Sequence, residues 1–279
     1  MRKLNKIIAL LLSVIMAVSI SSFAVTADDS DITTYKNVPI YVDGLLSSRG
    51  FVIDGTTYVP VSDMACIMGL EGKDTTDTDT GVTEFKAGDF TVSYDPEDNY
   101  VLANGRYLMV DKGIVEIINE KAMYPISLMK KIFGYDISWN AEDFQVIVST
   151  EDAEVIESGD TFYSKYDFGE LARLVFAEAG NQPFAGMVGV ANVVLNRVKS
   201  SRFPNDVHSV IYASGQFDPV ASGSINNTAS EDACLAAHFA IEGYDTVYDS
   251  LFFQNPSASG QSWSNLTYVC TIGDHVFYK

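Results

Sequence analysis

One of the most apolar stretches of the chain reads FGELARLVFAEAGNQPFAGMVGVANVVLNRVKSSRFP, residues 168–204. In its first half the apolar positions recur at i, i+3, i+4 and i+7, the spacing that predicts one face of an amphipathic helix. The residues on that face are Leu171, Leu174, Val175 and Glu178. A carboxylate therefore stands on the core-facing stripe, where a leucine would pack better. Asp167, three residues before Glu170, fits a capping box at the helix start, and Gly180 marks the helix end.

The position of Glu178 favours the protonated form of its side chain. Removal from water raises the pKa of a carboxyl, and the negative end of the helix dipole acts in the same direction. A carboxyl with a raised pKa is what a general acid needs near neutral pH. The structural alternative is a buried glutamate that only pairs with Arg197 or accepts a backbone amide hydrogen bond.

A second apolar helix is predicted over residues 184–199, with Pro183 suited to its first turn. Its core-facing stripe consists of Met187, Val190, Ala191, Val194 and Val198. Asn192 and Asn196 lie one turn apart on another face. A glutamate at the end of one helix, sealed by an apolar second helix, is a lysozyme-like arrangement, in which one protonated carboxyl reaches a glycosidic oxygen.

Residues 36–150 contain an internal repeat. DGTTYVPVSDMACIMGL (54–70) and NEKAMYPISLMKKIFGY (119–135) align at a constant offset of 65. The identical pairs are Pro60 with Pro125, Ser62 with Ser127, Met64 with Met129, Ile67 with Ile132, and Gly69 with Gly134. Each copy predicts a short extended segment, a proline and one helix that ends at glycine, and strand-like runs flank both copies. The pattern predicts a duplicated α+β unit.

The N-terminus has the pattern of an export signal. MRKLNK carries three positive charges, a 14-residue largely apolar run follows, and small residues offer a cut after Ala27. The pattern predicts a signal peptide over residues 1–27 and a secreted or cell-wall-associated protein, and a retained N-terminal anchor is the alternative. No later segment is long and apolar enough to cross a bilayer, so no membrane partner is expected in the mature form. The remaining residues, about 250, suffice for two domains, predicted at 36–150 and 162–279 with a linker over 151–161.

Net charge is −19, and most of the acidic excess lies in residues 31–160, with nine basic against 24 acidic residues. This excess argues against nucleic acid as a partner, because a phosphate polymer would be repelled. It also argues against direct electrostatic docking on anionic wall polymers. Three cysteines do not make a disulfide framework. A bridge between Cys234 and Cys270 stays open, since sequence alone does not define the geometry.

The repeated blocks resemble the copper-amine-oxidase N-terminal-like, or stalk, domain of exported bacterial proteins, and DGTTYVPVSDMACIMG is the most specific part. The resemblance implies no copper chemistry here, because no histidine precedes His208. It implies a spacer, a self-association module or a wall-binding element.

The C-terminal part resembles the cell-wall hydrolases of the spore-cortex-lytic (SleB/CwlJ) type. The matching blocks are LVFAEAGNQPFAGMVGVANVVLNRV, SSRFPNDVHSVIYASGQFDPV, AAHFAIEGYDTVYDSLFFQNP and IGDHVFYK, in the order of the family. The catalytic glutamate of the family falls on Glu178. The resemblance implies cleavage of peptidoglycan glycan strands, typically as a lytic transglycosylase, by a mainly helical, lysozyme-like α+β domain with a short β-sheet. A stalk-like module replaces the repeat-type binding domain usual in the SleB branch, which leaves a role in spore germination open.

A lytic transglycosylase needs one carboxyl that acts as acid and then as base, and it needs no metal or cofactor. A hydrolase needs a second carboxylate. Asp218 is the nearest candidate, although a turn residue before Pro219 is the favoured interpretation. The predicted substrate contacts are Gln216, Phe217, Tyr248, Phe253, Asn255 and His275, with Trp263 a weaker candidate of the same kind.

Other function classes stay open. A muramidase would act on the same bond with water. A zinc amidase would cut the sugar–peptide link, but it needs about three ligands around an open metal position, and His208, His238 and His275 are widely spaced. A non-catalytic wall-binding protein would use Glu178 only structurally. Loss of wall lysis on substitution of Glu178 separates this last class from the enzymes, and chelator sensitivity separates the amidase from the glycosidases.

Overall fold

A seven-stranded sheet forms the larger part of the N-terminal half of this computed structural model, which describes residues 35–119, 121–256, 263 and 265–279. The predicted signal peptide lies outside the described residues. The strands of this sheet, in spatial order, are β11 (Asp136–Asn140), β12 (Gln145–Ser149), β1 (Lys36–Val42), β2 (Leu45–Ile53), β3 (Thr56–Pro60), β10 (Lys121–Pro125) and β9 (Glu116–Ile118). Neighbours pair antiparallel except β1 and β12, which are parallel.

The repeated blocks form the same strand–helix unit twice. β3 leads into α1 (Val61–Ile67), and β10 leads into α2 (Ile126–Phe133). Pro60 and Pro125 are the N-cap residues, since proline suits the start of a helix and not its interior. The two copies share one sheet, because β3 and β10 pair antiparallel, and α1 contacts α2.

A second, five-stranded antiparallel sheet is inserted between the two copies. It is a meander of β4 (Lys73–Thr76), β5 (Thr83–Ala87), β6 (Phe90–Tyr94), β7 (Tyr100–Ala103) and β8 (Arg106–Met109). Its apolar faces join the core of the seven-stranded sheet and of α1 and α2.

The C-terminal half is mainly helical and has its own core. Its helices are α3 (Gly159–Phe162), α4 (Lys165–Ala179), α5 (Phe184–Lys199), α6 (Val207–Tyr212), α7 (Asp218–Ser222) and α8 (Glu231–Ile241). The α+β class, the stalk-like module and the mainly helical domain are therefore confirmed. The capping-box prediction is wrong: α4 begins three residues earlier, and the Ser164 hydroxyl accepts a hydrogen bond from the Asp167 amide. The Ser164 cap satisfies a free amide of the first turn, as a cap at Asp167 would have done three residues later.

A three-stranded antiparallel sheet closes the C-terminal half, in the order β13 (Phe252–Gln254), β15 (His275–Tyr278) and β14 (Tyr268–Ile272). The bridge between Cys234 and Cys270 is not formed, and all three cysteines are free thiols. The Cys270 thiol instead faces the Thr246 carbonyl at 3.9 Å. Among the described residues no helix is long and apolar enough to cross a bilayer.

The segment predicted as a linker is packed rather than extended through solvent. The Ile156 amide donates to the Ile132 carbonyl, and the Asn104 side chain donates to the Ile156 carbonyl at 2.8 Å. The Gly159 amide donates in turn to the Asn104 carbonyl. Residues 36–279 form one compact unit as a result.

The β7–β8 hairpin contacts α8 of the helical half. The Arg106 guanidinium makes a two-point ion pair with the Glu242 carboxylate, which also accepts a hydrogen bond from Tyr163. His238 is stacked between Tyr107 and Phe168, each with its ring centroid at 4.1 Å. Burial lowers the pKa of His238 to about 4, so the ring is neutral at ordinary pH and packs as an aromatic.

Glu242→Ala is expected to lower the free energy of unfolding by about 3 kcal/mol, because it leaves the largely buried Arg106 without its anion. Urea unfolding of the full chain measures the change. Asp136→Ala is the matched control, because the Lys130–Asp136 pair leaves 62% and 82% of its side chains exposed and should contribute little. Equal, small losses in both variants would contradict the structural role of the Arg106–Glu242 pair.

Candidate functional site

Glu178 lies in the last turn of α4, two residues before the Gly180 C-cap, and it is half-buried. Within the described part of the chain it makes no hydrogen bond or ion pair. Burial is the main cause that raises the pKa of Glu178 to about 7, and the negative charge of Asp218 raises it further. The positive charge of Arg197 opposes both effects. At neutral pH the side chain is thus divided between its acid and its base forms.

Arg197 is the buried cation beside Glu178, and its bonds go elsewhere. Its Nε donates to the Leu251 carbonyl at 2.8 Å and its Nη1 donates to Gln216 Oε1 at 3.3 Å. The guanidinium lies over three phenyl rings, with centroid distances of 5.0 Å to Phe203, 5.0 Å to Phe217 and 5.6 Å to Phe252. Burial lowers the pKa of Arg197 to about 10, and the Glu178 charge opposes that shift. A structural ion pair between Glu178 and Arg197, the alternative interpretation of the sequence, is therefore absent among the described contacts.

Asp218 is the first residue of α7 and is exposed, directly before the buried Pro219. This position matches the interpretation as a turn or helix-start residue. Its charge nevertheless acts on Glu178, so both carboxylates belong to one electrostatic environment. No hydrogen bond or ion pair of Asp218 occurs in the described structure.

Four of the six predicted substrate contacts lie together. Gln216 binds Arg197, and the Phe217 ring lies 6.3 Å from the Phe253 ring, which lies 5.1 Å from the His275 ring. Gln216 is exposed, whereas Phe217 and His275 are each 5% exposed. Phe217 therefore supports the Arg197 guanidinium from within the core.

Tyr248 and Asn255 differ in their exposure. Tyr248 is 68% exposed, with a left-handed backbone (φ 55), and its carbonyl accepts a hydrogen bond from the Asn196 side chain at 2.6 Å. Asn255 follows β13 and is half-buried. The roles of all six residues in substrate binding stay predictions.

A polar edge of α5 holds the segment 244–251 in place. Asn192 donates to the Tyr244 carbonyl at 2.9 Å and accepts from the Thr246 amide at 3.1 Å. Asn196 donates to the carbonyls of Tyr248 and Ser250. The one-turn spacing of the two asparagines predicts a shared face but no role for them, and the sequence predicts Arg197 only as an ion-pair partner of Glu178. Three polar residues within an apolar helix were the available signal for this edge.

The turn after Glu178 is held by a reciprocal pair of hydrogen bonds between Gln182 and Asp274. The Gln182 side chain accepts from the Asp274 amide at 2.8 Å and donates to the Asp274 carboxylate at 3.3 Å. Gly273 permits this approach: its φ is 57, and a Cβ there would come within 2.5 Å of Gln182 Oε1. The β14–β15 hairpin thereby fixes the α4–α5 turn.

The three histidines lie in three different environments. His208 faces the buried Glu170 carboxylate, with 3.0 Å from its Nδ1 to each carboxylate oxygen. His238 is packed between Tyr107 and Phe168, and His275 lies beside Phe253. Within the described ranges no three histidine, cysteine or carboxylate side chains come together as a metal site would require.

Two family models match the chain. Residues 181–278 match the model described as Cell Wall Hydrolase, and residues 45–148 match the Copper amine oxidase N-terminal domain. Glu178 lies three residues before the first of these matches.

Curated relatives match the C-terminal half only. A spore cortex-lytic enzyme of Bacillus cereus is 38% identical over 118 residues, which is 42% of this chain and 46% of the relative. One from Bacillus subtilis (strain 168) is 36% identical over 116 residues, 41% of this chain and 38% of the relative. The chain thus spans less than half the length of these relatives.

Among solved structures, the catalytic domain of the germination-specific lytic transglycosylase SleB from Bacillus anthracis is 37% identical. The match covers 44% of this chain and 100% of that chain, with a TM-score of 0.41.

Glu178→Gln is expected to change the pH dependence of stability. In the folded protein the pKa of Glu178 is raised from 4.5 to about 7. The folded state therefore loses stability relative to the unfolded state as pH rises from about 4.5 through 7, because the ionised carboxylate is buried. The glutamine variant should match the wild type at pH 4 and exceed its free energy of unfolding by up to about 3 kcal/mol at pH 8.

Chemical unfolding of both proteins across this pH range measures the difference. Glu231→Gln, at the exposed start of α8, is the control and should show no such pH-dependent gain. A constant difference between Glu178→Gln and the wild type at all pH values would contradict the raised pKa.

Proposed function

Because this chain carries a cell wall hydrolase domain behind a copper amine oxidase N-terminal-like domain, we propose that it is an exported enzyme that cleaves the glycan strands of peptidoglycan. The bond cut is the one between N-acetylmuramic acid and N-acetylglucosamine. The observation that carries the proposal is the unpaired, half-buried Glu178, whose pKa of about 7 suits both proton donation and proton uptake at neutral pH.

The proposed reaction is that of a lytic transglycosylase with Glu178 as its single catalytic carboxyl. The protonated side chain donates its proton to the glycosidic oxygen as the bond to the anomeric carbon of the muramic acid breaks. The resulting Glu178 carboxylate then takes the proton of the muramic C6 hydroxyl, whose oxygen forms the new bond to the anomeric carbon. Glu178 is reprotonated, and the product has an anhydro-muramic end without consumption of water.

Arg197 supports this cycle because it carries a fixed positive charge close to Glu178. Its two hydrogen bonds and three ring contacts hold the guanidinium while Glu178 changes charge. The positive charge stabilises the carboxylate that exists between the two proton transfers, and Asp218 opposes this effect. Because the charges of Arg197 and Asp218 act in opposite directions, the pKa of Glu178 stays close to neutral pH.

The rival functions are distinguished by their products. A muramidase would need a second carboxylate to activate water, and Asp218 is the first candidate for that role. Its products would have ordinary reducing ends. A zinc amidase would be inhibited by chelators, and the separate environments of the three histidines disfavour it. The N-terminal module is proposed to act as a spacer, a self-association element or a wall-binding element, on either spore cortex or vegetative wall.

Glu178→Gln should lower the activity on purified peptidoglycan by a factor of about a hundred or more, because it removes the proton donor and keeps the shape. Mass spectrometry of the wild-type products should show anhydro-muramic ends. Near wild-type lysis by the variant would make Glu178 structural. An inactive variant combined with reducing muramic ends in the wild-type products would identify a hydrolase.

Asp218→Asn should lower the pKa of Glu178, because it removes the negative charge that disfavours the carboxylate form. The alkaline limb of the pH–activity profile should therefore move to lower pH, while turnover at its optimum stays within a few-fold of the wild type. Loss of activity at every pH would instead assign Asp218 a direct catalytic role and favour hydrolysis. Asp206→Asn, a carboxylate that caps α6, is the control and should leave the alkaline limb in place.

A further inference from the structure

Five aromatic side chains form a continuous row on the C-terminal half, called here the aromatic row: Phe203, Phe252, Trp263, Tyr278 and Tyr268. The ring centroids of successive members are separated by 6.0 Å, 6.1 Å, 5.7 Å and 6.5 Å. Such contacts between rings orient neighbouring side chains and stabilise a fixed surface.

The strand register places the aromatic row on the outer face of the three-stranded sheet. Phe252, Tyr278 and Tyr268 are direct cross-strand partners on β13, β15 and β14, so their side chains share one face. The opposite face carries Phe277, which is fully buried against Val193 and Val247. The opposite face thus supplies the buried Phe277, while the row lies on the other face, where Phe203 also packs against the helical core.

Members of the row are accessible to solvent. Tyr268 is 59% exposed, and Phe203, Phe252, Trp263 and Tyr278 are half-buried. A row of partly exposed rings that ends in an exposed tyrosine offers a larger apolar surface for binding than an isolated exposed residue does.

Positive charge is concentrated beside the row. Residues 161–279 contain six basic and 11 acidic residues, and three of the six, Arg197, Lys199 and Arg202, fall within residues 197–202. The exposed Arg202 guanidinium lies 5.9 Å from the centroid of Phe203 and 5.4 Å from that of Phe252. No ion pair joins Arg202 or Lys199 to any carboxylate of the described residues. An acidic domain therefore has an exposed cation, Arg202, next to two half-buried rings of the row, while Arg197 is buried.

The row is continuous with the surroundings of Glu178. The Arg197 guanidinium contacts Phe203 and Phe252, the first two members of the row, and its charge acts on Glu178. The end of the row at Phe203 and Phe252 thus shares a buried cation with the proposed catalytic carboxyl.

We propose that the aromatic row with Arg202 is a binding platform for the uncleaved part of an anionic polysaccharide, the peptidoglycan glycan strand. The flat apolar faces of successive sugar rings pack against the aromatic rings. Arg202 binds a carboxylate of the lactyl or stem-peptide groups that the muramic acid residues carry. This inference rests on the proposed function and assigns a substrate subsite beyond Glu178.

Binding is measured separately from catalysis, with the full chain carrying Glu178→Gln and with purified sacculi stripped of covalently attached secondary polymers. Tyr268→Ala combined with Arg202→Gln should weaken co-sedimentation with these sacculi at least tenfold.

Tyr166→Ala combined with Lys165→Gln is the matched control. Tyr166 is 62% exposed but lies 12 residues before Glu178 on α4, about 18 Å along the helix. Equal binding by the platform and control variants overturns the platform, as does a loss seen only with sacculi that still carry secondary anionic polymers.

The same substitutions in the active enzyme give a second readout. The platform variant should raise KM on long glycan strands about tenfold and leave turnover of a short muropeptide oligosaccharide unchanged. Equal effects on long and short substrates would overturn the platform. Because Tyr268 and Arg202 are exposed, far-ultraviolet circular dichroism and the thermal unfolding midpoint should stay those of the wild type. Failure of Glu178→Gln to abolish activity would overturn the proposed mechanism, whereas the sedimentation result tests the platform independently.

Discussion

The site depends on the buried charge of Arg197. This guanidinium connects α5 to the Leu251 carbonyl, to the Gln216 side chain and to three phenyl rings, and so joins three parts of the chain that are distant in sequence. A buried cation is costly unless its donors find acceptors, and here two of them bind neutral acceptors. Arg197 does not make an ion pair with Glu178. Its positive charge lowers the pKa of the Glu178 carboxyl only in part, so the pKa stays at about 7. A direct ion pair would have lowered the pKa of Glu178 and removed the proton that a general acid must hold.

The backbone around the site is held by side chains rather than by regular pairing. Asn192 and Asn196 bind the backbone of residues 244–250, which would otherwise leave its polar groups unsatisfied beside an apolar helix. The Gln182 side chain, from the turn after α4, likewise binds the backbone amide of Asp274 in the β14–β15 turn. These contacts determine the position of Glu178 relative to β13 and β15, the strands that carry the aromatic surface.

The two halves of the chain are in direct side-chain contact. The aromatic stack of Tyr107, His238 and Phe168, together with the Arg106–Glu242 ion pair, holds the β7–β8 hairpin against α8. Because the Arg106 and Glu242 side chains are largely buried, removal of either partner would leave the other charge uncompensated at this contact.

The amino-acid sequence by itself predicted the local elements and singled out one candidate carboxyl. Apolar periodicity predicted α4 and α5, the proline–glycine pattern predicted the repeated strand–helix units, and the interruption of an apolar stripe identified Glu178, because these signals depend only on residues close together in the chain. The tertiary structure alone decided the helix cap at Ser164, the free state of Cys234 and Cys270, the burial of Phe217 and the packed course of residues 151–161. It also decided that Arg197 binds Leu251 and Gln216 instead of Glu178. Each of these depends on groups far apart in sequence, whose distances are set by how whole helices and sheets pack, and no local pattern encodes that packing.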